Sequence, residues 1–150
     1  MKQFFIVLTV LAISISSEAQ SAEDSVKAVV TNLFTAMIKS DTVLLKSCFA
    51  DSMVLQTIVR GKNGGAEVKS ETAATFVKSI SSLKPGSADE QITFGTVLID
   101  GPLALVWTPY KFYFNGQFSH CGVNSFHLIR FKDSWRIQYL IDTRRRTGCD

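Results

Sequence analysis

The sequence predicts an α+β fold in which helices pack on one face of a bent antiparallel sheet. Apolar residues recur with helical spacing in the first half of the chain, whereas residues 103–145 contain three strand-like runs separated by turn signals. Asn115-Gly116 between two alternating apolar runs indicates a type I′ hairpin, because both central residues of that turn need positive φ angles. Helices that precede a run of strands are typical of α+β domains.

Residues 1–19 have the pattern of a signal peptide. A basic start is followed by the largely apolar run 4–15 and by Ser17 and Ala19, small residues at positions −3 and −1 of the predicted cut. The apolar run is too short to span a bilayer. We therefore expect cleavage after Ala19, a single mature domain over residues 20–150, a secreted or periplasmic location and no membrane attachment after cleavage.

An amphipathic helix is predicted near the start of the mature domain. Glu23 and Asp24 fall in its first turn, where negative charge suits the helix dipole, and Lys39 ends it. Its apolar residues form one stripe: Val26, Val29, Val30, Leu33, Phe34, Met37 and Ile38. This stripe gives the helix a single face for packing.

Two shorter helices are predicted after it. The first covers residues 43–49 and is capped by Asp41 or Thr42. Asp41 also has the chemistry of an isomerase-like acid, but a helix cap explains it equally well and is the interpretation that we favour. The other helix covers residues 71–83, with Ser70 as its cap.

Five strands are predicted from apolar alternation and turn signals. They cover residues 53–59, 91–99, 103–114, 118–131 and 135–145. Asp100-Gly101, Asn115-Gly116 and Asp133-Ser134 are the predicted turns between the later strands. Pro109 interrupts the third strand and predicts a bend, a bulge or an edge there, because proline cannot donate to the ladder.

Composition and motifs argue against several functions. The net charge is +3, and no basic stripe is visible, so we predict no nucleic-acid partner. No Cys-x-x-Cys, His-x-x-x-His or Asp-rich loop is present, so we predict neither a metal site nor a cofactor. Cys48, Cys121 and Cys149 leave two alternatives open: one disulfide with one free thiol, or buried apolar roles for Cys48 and Cys121.

At this level of organisation the chain resembles the nuclear transport factor 2-like (NTF2-like) superfamily. The resemblance rests on these motifs: Asp41 with Phe49-Ala50-Asp51, Trp107-Thr108-Pro109-Tyr110, residues 116–122 and Trp135-Arg136-Ile137. The chain is most similar to the secreted or periplasmic SnoaL-like and lumazine-binding-like branch. The resemblance implies a cone-shaped roll of three helices in a strongly bent, mostly antiparallel sheet, with a pocket at the open end of the cone.

The resemblance does not select one activity. The superfamily includes steroid isomerases, dehydratases, polyketide cyclases and binding or scaffold domains, and fold alone does not choose among them. The steroid isomerase pattern needs an Asp base with a Tyr and a protonated Asp as oxyanion donors. The first helix of this chain has no Tyr, which argues against that chemistry.

His120 is the leading site residue on the fourth predicted strand. One face of that strand contains these residues: Phe118, His120, Gly122, Asn124, Phe126 and Leu128. His127 lies on the other face. An imidazole transfers protons near neutral pH or donates a hydrogen bond to a ligand, whereas a structural His bonds a backbone carbonyl. Both interpretations of His120 stay open.

Asp142 and Arg144 share a face of the last strand, opposite to Trp135 and Ile137. They form either an ion pair in the pocket or an exterior salt bridge, and the exterior pair is favoured because such pairs are common. A bulge near Ile141 would turn Asp142 inward, where it could orient His120 for acid–base catalysis. We therefore predict His120 and Asp142 as candidate catalytic residues.

The third predicted strand has apolar residues on both faces. Tyr110, Phe112 and Phe114 alternate with Trp107, Lys111 and Tyr113. One face is expected to line the pocket, and the other to pack against a second copy of the chain in a homodimer. The predicted ligand-binding residues are Tyr110, Phe112, Asn124, Phe126 and Arg144.

Three functional hypotheses follow from these residues. The first is an exported domain that binds a small apolar or aromatic molecule in the cone. The second is a cofactor-free SnoaL-like enzyme of the isomerase, dehydratase or cyclase type, with His120 as general acid or base and Asp142 as its orienting residue. The third is a dimeric scaffold without an active pocket.

Overall fold

The computed structural model describes residues 11–132 and 134–149, with side chains described from residue 22 onward. This part of the chain contains three helices and seven strands. Their order is α1 (Leu11–Lys39), α2 (Thr42–Ser47), β1 (Phe49–Arg60), β2 (Ala66–Thr72), α3 (Ala73–Ser81), β3 (Ala88–Ile92), β4 (Thr96–Asp100), β5 (Leu103–Phe114), β6 (Gln117–Phe131) and β7 (Ser134–Thr143). The predicted α+β class is confirmed.

The strands form one curved, mostly antiparallel sheet. Its order is β2-β1-β7-β6-β5-β3, and β4 pairs with β5 beside β3. Only β1 and β7 run parallel among the paired strands of the described residues. The pairing register shifts once between β5 and β6 and once between β6 and β7. The inserted residues at these two β-bulges are Ser119 of β6 and Gln138 of β7. Bulges of this kind bend a strand and increase its twist, which curves the sheet around the helices.

The core lies between the concave face of the sheet and the helices. The predicted stripe of α1 is confirmed, because Val26, Val30, Leu33, Phe34 and Met37 are all buried. The Phe34 ring meets the Phe126 ring edge-to-face, with 6.1 Å between centroids. Burying each large apolar side chain contributes roughly 1.5–3 kcal/mol. This contact therefore fixes α1 against β6.

Helix α1 begins earlier than predicted. Its backbone is helical from Leu11, so the final part of the predicted signal peptide belongs to the helix, and residues 1–10 lie outside the described residues. Glu23 is therefore inside α1, where it pairs with Lys27 at 2.6 Å, rather than in the first turn. The sequence contains no Pro or Gly between residues 11 and 39, so nothing stops the helix from extending.

The second helix has the predicted cap. Asp41 Oδ1 accepts hydrogen bonds from the backbone N–H groups of Val43 and Leu44, at 3.0 and 2.9 Å. These are two of the backbone donors that a helix start leaves without an intrahelical acceptor. Asp41 is thus a capping residue, and α2 ends at Ser47, two residues before the predicted end.

The start of the third helix was predicted wrongly. Residues 66–72 form the edge strand β2, and α3 begins at Ala73 with Thr72 as its cap. The Thr72 hydroxyl accepts from Thr75 N at 3.1 Å, so Ser70 is not the cap. Most of β2 is exposed and its sequence lacks apolar alternation, so it carries no sequence signal for a strand.

The predicted strand 91–99 is two strands. Between β3 and β4, Thr93 N bonds the Pro109 carbonyl at 2.9 Å, and Gly95 N bonds the Trp107 carbonyl at 2.9 Å. Pro109 has no N–H group, so it cannot donate a backbone hydrogen bond to the segment between β3 and β4. The regular ladder of hydrogen bonds therefore stops opposite Pro109. The break therefore falls where the sequence predicted an irregularity in β5.

One of the predicted turns is confirmed, and another is shifted by one residue. Asn115 and Gly116 have φ angles of +51° and +77°, as a type I′ turn requires. The turn predicted at Asp100-Gly101 joins β4 to β5 one residue later, at Gly101-Pro102, with Asp100 paired to Leu103. For the third turn, Asp133 lies outside the described residues and Ser134 already belongs to β7.

The cysteines adopt the first of the two arrangements left open by the sequence. Cys121 and Cys149 form a disulfide with a Cα–Cα distance of 5.8 Å, and Cys48 is a buried free thiol. Burial raises the pKa of the Cys48 thiol to about 11. The disulfide fastens the C-terminal segment to β6, next to the paired backbones of Cys121 and Arg145.

Loss of this disulfide is expected to lower the free energy of unfolding by about 3 kcal/mol, because the bridge closes a loop in the unfolded chain. Cys149→Ser and reduction of the wild-type protein should give the same loss in urea denaturation. Reductant should leave the Cys149→Ser variant unchanged, which serves as the control. A loss below about 1 kcal/mol would contradict this prediction.

Candidate functional site

A cavity of about 250 Å³ lies between the helices and the concave face of the sheet. Its apolar lining includes Leu33, Phe34, Met37, Phe76, Ile80 and Phe112. Its polar lining includes Glu71, Glu90, His120, Asn124, Asp142 and Arg144. Helices α1 and α3 and six of the seven described strands therefore contribute to one site, whose wall is apolar on the helix side and mixed on the sheet side.

A row of buried polar residues crosses the sheet beside the cavity. Strand register places Thr108 opposite Asn124, Asn124 opposite Asp142, and Asp142 opposite Thr57. We call these four residues the polar row. All four are buried, and directly opposed residues of neighbouring strands have their side chains in contact range. The polar row thus runs through β5, β6, β7 and β1.

Asp142 is the centre of the polar row. It accepts a hydrogen bond from the Thr57 hydroxyl at 2.6 Å and from Arg144 Nε at 2.8 Å. The Tyr110 hydroxyl lies 3.1 Å from Asp142 Oδ2 and 2.9 Å from the Thr143 carbonyl, so it shares its proton between them. Burial and the adjacent carboxylate raise the pKa of Tyr110, which keeps its hydroxyl a donor.

Asp142 and Arg144 form an ion pair, but the predicted exterior location is wrong for Asp142, because this residue is buried. The bulge at Gln138 reverses the alternation of β7, so Trp135 and Ile137 point inward before the bulge and Leu140 and Asp142 point inward after it. The observed bulge lies three residues before Ile141, near which a bulge was the stated condition for an inward Asp142. Arg144 remains partly exposed, and its Nη2 also donates to Thr57 at 3.1 Å.

Glu90 is a site residue that the sequence analysis missed. Asn124 Nδ2 donates to Glu90 Oε1 at 2.8 Å, and it lies 3.4 Å from the Thr108 hydroxyl. Burial raises the pKa of Glu90 to about 7, and the hydrogen bond from Asn124 opposes only part of that rise. The predicted strand started at residue 91, three residues after β3 begins at Ala88. Alternation begun at Ala88 would have placed Glu90 on the inward face with Ile92.

His120 lines the cavity. Its ring packs against Phe112 with centroids 5.0 Å apart and meets Tyr110 edge-to-face at 5.7 Å. Its Nδ1 lies 3.0 Å from the Ser119 hydroxyl. Burial, with the nearby positive charge of Arg144, lowers the pKa of His120, so the neutral imidazole is favoured.

The predicted His120–Asp142 catalytic pair is not assembled. Among the described residues, His120 has no hydrogen bond to Asp142, whose oxygens are occupied by Thr57, Tyr110 and Arg144. Asp142 acts on the imidazole only as a nearby charge. The structure therefore gives Asp142 the role of a buried network centre rather than that of an orienting carboxylate.

The predicted ligand-binding residues divide into two groups. Phe112, Asn124 and Arg144 line the cavity. Tyr110 lies behind the wall and holds Asp142, whereas Phe126 is fully buried in the core against Phe34. Alternation had put Phe118 on the same face of the strand as His120, but it lies on the other face. The bulge at Ser119 separates the two residues and reverses the alternation, and Phe118 is 45% exposed.

The described residues contain no group of three or more His, Cys, Asp or Glu side chains arranged to hold a metal ion. None of the helices within the described ranges is long and apolar enough to span a membrane.

Similar solved structures share this architecture. An NTF2-like protein of unknown function from Shewanella baltica has a TM-score of 0.66 at 10% identity, covering 85% of this chain and 96% of its own. A candidate dehydratase from the NTF2-like family of Streptomyces avermitilis has a TM-score of 0.62 at 18% identity, covering 85% and 98%. The β subunit of a candidate aromatic-ring-hydroxylating dioxygenase from Novosphingobium aromaticivorans has a TM-score of 0.64 at 12% identity, covering 87% and 95%.

No protein-family model matches the chain, and no curated protein matches its sequence. The structural similarity extends over most of the chain at identities that show the fold alone. The three helices, the curved mostly antiparallel sheet and these neighbours together show that the chain has the NTF2-like fold.

Proposed function

We propose that this protein is an exported domain that binds a small, largely apolar or aromatic molecule in the cavity. The observation that carries the proposal is the cavity itself: side chains do not fill the space between the helices and the sheet, and a few polar groups converge on an apolar wall. That combination is typical of small-molecule sites. A filled cone would have favoured a scaffold.

The size of the cavity limits the ligand. Its volume of about 250 Å³ lies just below the range of about 300–1,000 Å³ that is common for drug-sized ligands. The ligand is therefore compact, on the scale of one substituted aromatic ring. Phe112 and the helix side chains supply contact area, and Asn124, His120 and Arg144 orient the polar end.

Blocking the cavity should weaken binding without unfolding the protein. Ser79 lines the cavity from the exposed side of α3, so Ser79→Trp places an indole against the cavity at a site that tolerates bulk. We expect at least a tenfold weaker affinity for 2-phenylethanol, measured by calorimetry, which is a loss of about 1.4 kcal/mol or more.

Ser81→Trp is the matched control for this experiment. Ser81 is an exposed serine of the same helix, and its hydroxyl also bonds a backbone carbonyl of the preceding turn, but it does not line the cavity. Ser81→Trp should bind 2-phenylethanol like the wild type. Equal affinity of both variants and wild type would contradict binding in this cavity.

A cofactor-free acid–base enzyme of the SnoaL-like branch is the second candidate. Glu90 is the observation that favours it, because burial brings the pKa of this cavity carboxyl to about 7, where a group both accepts and donates protons. The dehydratase name of one structural neighbour agrees with such a role. Under this function Glu90 would transfer a proton beside His120, and Asp142 would not be the residue that orients the imidazole.

Export is proposed from the N-terminal pattern, and the disulfide supports it. Residues 1–19 read as a signal peptide, and disulfides such as Cys121–Cys149 persist in oxidising compartments. The mature domain would then act in the periplasm or outside the cell.

A homodimer through the outer face of the sheet is also proposed. Strand register places Leu98, Leu105, His127, Tyr139 and Val54 in one row across that face. Trp107 lies in the next row and is 45% exposed, and Leu98 is 60% exposed. Apolar surface of this extent favours a self-complementary contact between two copies of the sheet.

Native mass spectrometry of the chain expressed with residues 1–19 tests export and assembly together. The expected species is a dimer of chains that begin at Gln20, and the Trp107→Glu variant is expected to be monomeric because it buries a charge in the proposed interface. Uncleaved chains would contradict the export proposal. A monomeric wild type, or a dimeric Trp107→Glu variant, would contradict the proposed interface.

A further inference from the structure

We infer that the cavity selects a cationic ligand, a small aromatic or apolar molecule that carries an ammonium group bound by Glu90. This inference rests on the proposed binding function and specifies its ligand. The cavity is the site, and the charges along its wall decide which ligand the site takes.

The cavity wall has more acidic than basic groups. Glu71, Glu90 and Asp142 line it, and Arg144 is the only Lys or Arg among the described lining residues. Asp142 and Arg144 pair with each other at 2.8 Å, so their charges largely cancel. Glu71 and Glu90 make no ion pair in the described part of the chain. The wall therefore carries net negative charge, which a cation would neutralise.

Glu90 has an oxygen available for a ligand. Asn124 Nδ2 donates to Oε1, whereas Oε2 has no hydrogen-bond donor among the described residues. A hydrogen bond from an ammonium group to a carboxylate is roughly twice as strong as one between neutral groups. An ammonium ligand would thus complete the hydrogen bonding of the Glu90 carboxylate.

Aromatic side chains line the same cavity as Glu90. Register aligns Glu90 of β3, Phe112 of β5 and His120 of β6 in one row across the inner face. Phe34 and Phe76 approach from the helices. The faces of such rings attract cations and also bind an apolar ligand body. Charge and shape of the wall therefore favour the same class of ligand.

An anionic ligand fits this wall less well. Arg144 already donates through Nε to Asp142 and through Nη2 to Thr57, so much of its guanidinium is engaged. An anion beside it would also meet the negative charges of Glu71 and Glu90. Like charges at close range disfavour binding.

Three aromatic probes of similar size separate these possibilities by calorimetry: 2-phenylethylammonium, 2-phenylethanol and phenylacetate. We expect the ammonium compound to bind at least about tenfold more tightly than the alcohol, since its charge-assisted bond to Glu90 replaces a neutral one. Phenylacetate should bind most weakly.

Glu90→Gln removes the charge while keeping an oxygen that Asn124 can donate to. This variant should lose the preference for the ammonium compound and keep its affinity for the alcohol. Glu67→Gln is the matched control, because it makes the same change in net charge at an exposed residue of β2 that does not line the cavity. Its affinities should equal those of the wild type.

The preference should also depend on pH. Glu90 gains its charge as pH rises through about 7, so affinity for the ammonium compound should rise by up to about tenfold between pH 6 and pH 8. Glu71, His120, Asp142 and Arg144 are the other titratable groups on the wall, Tyr110 stands behind it, and the α1 lining is apolar. Glu90→Gln should remove the rise, which assigns it to Glu90.

The outcomes distinguish this inference from the proposed function. An alcohol that binds as tightly as the ammonium compound, or an unchanged preference in Glu90→Gln, would overturn the cationic ligand and leave the binding function standing. Absence of binding by all three probes at concentrations up to about 10 mM would overturn both.

Discussion

Asp142→Ala is expected to lower the free energy of unfolding by about 3 kcal/mol, because removing one partner of a buried charged network leaves the others unsatisfied. Thr57, Tyr110 and Arg144 would all lose their shared acceptor. Arg144 is partly exposed and can recover water, which keeps the loss at the lower end of the range for buried ion pairs. Urea denaturation measures the effect.

Two variants calibrate this prediction. Asp142→Asn keeps the shape and one acceptor oxygen, so it should lose less, about 1–2 kcal/mol. Asp51→Ala removes an exposed carboxylate of β1, and surface changes of this kind stay within about 0.5 kcal/mol. If Asp142→Ala were as stable as Asp51→Ala, Asp142 would not be the centre of the polar row.

Gly122→Ala is expected to be at least as disruptive. A Cβ at this position would overlap the carbonyl oxygen of Thr143 and would lie 2.9 Å from the Tyr110 ring. Gly122 pairs with Tyr110 across β5 and β6, and the missing side chain lets the Tyr110 ring reach Asp142. The Thr143 carbonyl belongs to the backbone, so relief requires the end of β7 to move.

The expected loss for Gly122→Ala is about 3 kcal/mol or more, because overpacking typically costs about 1–3 kcal/mol and the hydrogen bonds of Tyr110 would be lost as well. Gly65→Ala is the control, since nothing lies within 4 Å of its Cβ position and its φ is not positive. That change should be neutral or slightly stabilising. A Gly122→Ala variant with wild-type unfolding in urea would contradict the close approach of β6 and β7.

The parts of the fold with strong local signals were predictable. The apolar stripe of α1 has one spacing over three turns, and Asn115-Gly116 admits few backbone conformations other than a tight hairpin. The common face of His120 and Asn124 followed from alternation along β6, because no bulge falls between them, although alternation did not tell which side of the sheet that face is on. Local chemistry decided these features, so the sequence was sufficient.

Features that depend on distant partners were not predictable. The bulge at Gln138 turns Asp142 inward, yet nothing in residues 135–143 marks which residue is extra. The edge strand β2 is polar and exposed, and its pairing with β1 defines it as a strand. Glu90 looks like a loop residue beside Asp89 until its pairing with Phe112 places it on the cavity wall. Cross-strand partners, rather than local patterns, decided these positions.

Titration of the isotope-labelled protein with 2-phenylethanol, followed by NMR of the assigned backbone amides, tests the central claim most directly. Binding in the cavity predicts saturable shifts at residues of its wall, such as Leu33, Ala88 and Asn124. The outer sheet face, including Trp107 and His127, should not shift. Shifts confined to that outer face, or no saturable shift at any residue, would contradict a ligand site between the helices and the sheet.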